Sequence, residues 1–78
     1  MKVTVYSTPA CPWCHKAKEF LKQNKIKFAE INVAEDQKAA EDMIEKSGQM
    51  GVPVIDVDGQ IIIGFDKPKL EKALKLAK

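Results

Sequence analysis

An α/β domain of order βαβαββα, with a four-stranded mixed sheet flanked by three helices, is what this chain predicts, and three observations carry it. Two amphipathic segments of helical period separate the first three strand-like runs. Asp58-Gly59, a pair that favours the positive φ of a two-residue hairpin turn, divides the third run from a fourth. A last segment of helical period closes the sequence. Seventy-eight residues are enough for one such domain, 1–78, and leave no room for a second.

Each element has its own signal. Residues 2–6 alternate Val with Lys, Thr and Tyr, the period-two pattern of a strand. Over residues 12–24, Trp13, Ala17, Phe20 and Leu21 recur at spacings of three and four among Lys, Glu and Gln, which predicts an amphipathic helix. Residues 28–33, with Phe28, Ile31 and Val33 apolar, predict a second strand one helix beyond the first, so a right-handed parallel crossover is expected. Asp36 can cap a helix to about residue 46 that buries Ala39, Ala40, Met43 and Ile44, and Ser47-Gly48 supplies its stop. Val54–Val57 and Gln60–Ile63 flank the hairpin turn and are therefore antiparallel. Asp66 caps the closing helix, with Pro68 in its first turn and Leu70, Ala73, Leu74 and Ala77 on one face.

Composition narrows the function. With 45% hydrophobic and 31% charged residues, the chain has enough apolar material for a core and is not of disordered type. A net charge of +2 is too small to argue for nucleic acid, and the lysines are spread through the helical segments rather than gathered with aromatics. The basic stretch 67–78 is expected to be the wet face of a helix, not a membrane patch. Met1 is followed at once by strand pattern, and no run approaches the ~18 apolar residues of a membrane span. No membrane partner and a cytoplasmic location are expected. In a reducing compartment two closely spaced cysteines are a catalytic or metal-binding pair rather than a structural disulfide.

Those cysteines are Cys11 and Cys14, separated by Pro12-Trp13, at a strand-to-helix corner. Cys11 then lies at the helix N-terminus, where unsatisfied N–H groups and the positive end of the dipole favour thiolate over thiol. Cys14, one turn further in, can attack a mixed disulfide formed on Cys11. Together they predict a dithiol/disulfide couple. Trp13, in the corner beside a reactive sulfur, is expected to be partly exposed and to form substrate surface together with Pro12. A lone His15 is expected to be inert, and Lys16 and Lys18 to support the thiolate only modestly. Pro53, just ahead of a strand, must take its first residue or an edge, because it lacks an N–H.

The element order, Cys11-Pro12-Trp13-Cys14 after the first strand, Gly51-Val52-Pro53 before the third and Gly64-Phe65-Asp66 before the last helix resemble the glutaredoxins, over essentially the whole chain. Within that family the chain is similar to the small YruB-type glutaredoxin-like proteins and, more loosely, to the NrdH redoxins. The resemblance implies the thioredoxin fold and a cis Val52-Pro53 bond, leaving the N–H and C=O of Val52 free to pair with an extended substrate beside Cys11. It also places Gln49, Gly64 and Asp66 at glutathione-contacting positions, though for Asp66 helix capping explains the residue equally well. Three family contacts are altered. Ile63 stands for a glycine, Lys67 for a second aspartate, and Thr8 for the lysine three residues before the first cysteine.

Two functions follow as expectations. In the first, the protein is a monomeric disulfide reductase acting on protein or low-molecular-weight disulfides, with no tightly bound cofactor. Its reducing equivalents come from glutathione or, favoured by the altered contacts, a flavin-containing enzyme resembling thioredoxin reductase. In the second, the two thiolates bind zinc, copper or an iron-sulfur centre. One chain offers only Cys11, Cys14 and His15, so that site would need a dimer or an external thiol.

Overall fold

The computed structural model describes residues 2–49 and 51–75. β1 (Val3–Ser7), α1 (Pro12–Gln23), β2 (Ala29–Asn32), α2 (Gln37–Ser47), β3 (Val54–Val57), β4 (Gln60–Ile63) and α3 (Lys67–Leu74) follow one another in the expected order. Ala77 and Lys78, expected on the closing helix, lie outside the described residues. None of the described helices is long and apolar enough to cross a membrane.

Strand order is β2-β1-β3-β4, with β1 parallel to β2 and antiparallel to β3, and β3 antiparallel to β4. The mixed sheet follows from the connections: a helix returns the chain for a parallel neighbour, whereas two residues can only reverse it. At that reversal Asp58 (φ 49°) and Gly59 (φ 94°) both adopt positive φ, and the Gly59 N–H donates to Asp56 Oδ1 at 2.8 Å. β2 is shorter than expected. Phe28 and Val33 lie just past its ends, yet both still pack against the core.

Alternation along the central strands divides the interior in two. Val3, Val5, Ile55, Val57 and Ile62 face α1 and α3, meeting Ala17, Phe20, Leu21, Leu70 and Leu74. Tyr6 and Val54 face the other way and meet Ala39 and Met43 of α2. β1 ends at Ser7, and the chain turns into α1 at Pro12. The helix ends are specified locally: Asp36 Oδ1 accepts from the Ala39 N–H at 3.0 Å and Asp66 Oδ1 from the Lys69 N–H at 3.3 Å, and Gly48 closes α2 in the left-handed conformation.

Candidate active site

Cys11 is the N-cap of α1 and Pro12 its first helical residue. An N-cap side chain usually offers oxygen to the exposed N–H groups; here the acceptor is sulfur, with Cys11 Sγ 3.2 Å from the Cys14 backbone N. The corner is tightened by the Cys11 N–H, which donates to the Thr8 carbonyl at 3.3 Å. Both cysteines are free thiols, but their surroundings differ sharply. Cys11 is partly exposed, while Cys14 is wholly buried at 0%. Burial, reinforced by the hydrogen bond to Cys11, pushes the Cys14 thiol up to about 11. One sulfur is therefore accessible at the positive end of a helix, and the other waits behind it with its proton.

The neighbouring polar groups hold the corner in place. His15 Nε2 lies 3.1 Å from the Pro9 carbonyl, which can only accept, so the ring donates there and clips α1 to the loop before Cys11. Lys18 pairs with Glu30 at 2.6 Å, and Glu30 also accepts from the buried Ser7 hydroxyl at 3.3 Å. The Lys18 ammonium holds the Glu30 carboxyl below its ordinary value. Lys16, by contrast, sits over the Trp13 ring at 4.6 Å.

Val52-Pro53 is cis, as the glutaredoxin resemblance implies. The Val52 carbonyl lies 3.8 Å from Cys11 Sγ, and the Pro53 carbonyl accepts from the Gly64 N–H at 2.8 Å. These contacts join three separate parts of the sequence into one wall. Trp13, Val52, Pro53, Ile63, Gly64 and Phe65 line a groove of about 340 Å³, which Val52 connects to Cys11. Trp13 is 55% exposed and Ile63 47%, so the groove's rim is apolar and open to water. A larger hollow of about 560 Å³ lies over Lys2, Thr4, Tyr6 and Asp56, lined by none of Trp13, Val52 and Pro53.

The remaining expected residues are distributed unevenly. Gln49 belongs to the loop before Val52, where a Cβ on Gly51 would come within 3.3 Å of its Nε2, and it does not line the apolar groove. Asp66 is the α3 cap, with Lys69 4.0 Å away. Lys67 lies over the Phe20 ring at 5.9 Å. Sequence reasoning missed Ile63 and Phe65 as groove residues. A signal was present in Ile61-Ile62-Ile63: three consecutive isoleucines cannot all face one side of a strand. The Ser7–Glu30–Lys18 cluster was also missed, because only the β1–β2 register brings residue 30 beside residue 7.

A family model described as Glutaredoxin matches residues 3–62. The chain is 51% identical over 73 residues to an uncharacterized glutaredoxin-like 8.6 kDa protein in the rubredoxin operon of Clostridium pasteurianum, covering 94% of this chain and 97% of that one. In three dimensions it is similar to a crystal structure of a mutant of the thioredoxin-like protein BC3987, with TM-score 0.92, 33% identity and 97% of each chain covered. It is also similar to the glutaredoxin-like NrdH-redoxin of Escherichia coli, with TM-score 0.81 and 26% identity over 100% of this chain and 97% of that one.

Proposed function

The chain belongs to the glutaredoxin family, a family of thiol-disulfide redox proteins, and from that premise we propose that it reduces disulfides through a Cys11/Cys14 dithiol. The observation that carries the proposal is the asymmetry of the two sulfurs: Cys11 partly exposed at a helix N-terminus, Cys14 buried one turn inside. Cys11 thiolate attacks one sulfur of a target disulfide, the target's S–S bond breaks, and the displaced thiolate takes a proton from water. Cys14 then attacks Cys11 Sγ in the mixed disulfide. Its proton passes to the departing substrate sulfur, the substrate has gained two electrons, and the protein is left with a Cys11–Cys14 disulfide. Pro12 and Trp13 on one side and Val52 and Pro53 on the other flank the reacting bond.

The oxidised pair must be reduced again by an external donor. Thr8 and Lys67 stand where the family's glutathione contacts carry a lysine and an aspartate, which favours a flavin-containing donor of the thioredoxin-reductase kind over glutathione. Support comes from the E. coli relative, an NrdH-redoxin described as having a thioredoxin-like activity profile. The protein acts as a monomer in a reducing compartment, the cytoplasm, without a tightly bound cofactor. Trapping tests the assignment of roles. Cys11→Ser abolishes reduction, and Cys14→Ser accumulates a mixed disulfide whose mass-spectrometric site is Cys11. An adduct on Cys14 instead would reverse the assignment.

A further inference from the structure

A second groove adjoins the first. It is lined by Lys16, Glu19, Phe20, Gln23, Phe65 and Lys67, so Phe65 is the wall common to both. Trp13, Phe65 and Phe20 form a continuous aromatic row running from the exposed Trp13 to the buried Phe20, with ring-to-ring steps of 6.5 and 5.8 Å, a run that three to four residues of extended chain would span at about 3.3 Å each. At the two ends of this row an ammonium is held over a ring, Lys16 over Trp13 and Lys67 over Phe20. Lys18, Lys46 and Lys69 pair with carboxylates, whereas Lys16 and Lys67 place their ammoniums over aromatic faces. Glu19 offsets one of the two charges, and its carboxylate accepts from Gln23 along the helix at 3.3 Å.

We propose that this surface reads an extended acidic segment of a disulfide-bearing protein, a substrate class for the dithiol function above and dependent on it. The cysteine under attack lies at Cys11, an apolar side chain beside it seats in the groove that Trp13 and Phe65 line with Val52, Pro53 and Ile63, and carboxylates in the next few residues meet Lys16 and Lys67. An aromatic floor with cations at its edges selects for this order of chemistry. Apolar area supplies contact, and charge supplies register and encounter rate. A neutral small disulfide reaches the thiols without using the second groove.

The test uses the reduced full chain and two synthetic peptides of equal length, each with Leu beside a single Cys and each disulfide-bonded to 2-mercaptoethanol. One continues Glu-Glu and the other Lys-Lys. Single-turnover rates are read by quenched mass spectrometry, with bis(2-hydroxyethyl) disulfide and oxidised glutathione as comparison substrates. Two exposed charge contacts predict that the Glu-Glu peptide reacts roughly three- to thirtyfold faster than the Lys-Lys peptide at low salt. The gap should close towards 1 M salt. Lys16→Glu combined with Lys67→Glu should invert the order, a result that partial unfolding cannot produce. Equal peptide rates alongside normal reduction of bis(2-hydroxyethyl) disulfide would overturn the acidic-segment proposal and leave the dithiol function standing. Failure to reduce any of the four substrates would overturn both. Oxidised glutathione outpacing the Glu-Glu peptide, and losing its lead in the double variant, would assign the lysines to glutathione's carboxylates and overturn the proposal.

Discussion

Cys14 gives up contact with water and keeps its proton, whereas Cys11, three residues earlier, remains within reach of solvent. Iodoacetamide at neutral pH should therefore modify Cys11 and spare Cys14, with peptide fragmentation locating the label; equal labelling of both sulfurs in the folded protein would contradict the burial. The same burial makes stability depend on pH. The folded Cys14 thiol titrates near 11, above its ordinary value, so its contribution is fully present below about 9 and is lost as pH rises through about 11. Chemical denaturation of the reduced protein should show falling stability over that window, and Cys14→Ala should flatten the difference attributable to this group. His15 has a narrower part. Its bond to the Pro9 carbonyl is a clip on the corner, so His15→Ala should loosen the loop before Cys11 without removing the thiol chemistry.

Short α3 depends strongly on its ends. Asp66 caps it, and an N-cap is worth about 1 kcal/mol, so Asp66→Ala should lower Tm by about 4–8 °C in a domain of this size. Asp66→Asn retains an effective capping oxygen and should lose much less. This pair separates the two roles open to Asp66: if glutathione-dependent turnover falls equally in both variants, the carboxylate contacts glutathione, and if it falls only with stability, the cap is its whole role. Between α1 and β2, the Lys18–Glu30 pair is a weaker tie, because the Glu30 side chain is 47% exposed. Glu30 has its folded pKa lowered, so that tie is present above the ordinary carboxylate range and fades as pH falls through the lowered value.

For the molecule as a whole, the choice of electron donor is the sharpest prediction. NADPH consumption should be faster with thioredoxin reductase than with glutathione plus glutathione reductase, and Thr8→Lys with Lys67→Asp should raise the glutathione rate by a few-fold to some tens-fold. Parent turnover with glutathione as fast as with the reductase would refute the weight given to those two positions. Much of this molecule was legible in its sequence because its signals are local. Asp36 and Asp66 cap within three residues of themselves, Asp58-Gly59 sets the turn by its own positive φ, and the CxxC corner is four consecutive residues. What escaped was produced by assembly. The burial of Cys14, the Ser7–Glu30–Lys18 cluster and the shared Phe65 wall exist only once strand register and helix packing bring distant residues together.

Because the Cys11 sulfur serves as the cap of α1, the fold and the redox couple belong to one thermodynamic cycle. If the sulfur caps α1 more strongly as a free cysteine than in a disulfide, folding carries that preference for the reduced form into the couple. Every 1.4 kcal/mol of that preference raises the reduction potential by about 30 mV. A pair of unfolding curves, one for the dithiol and one for the disulfide, therefore measures how far folding has shifted this protein's oxidising power.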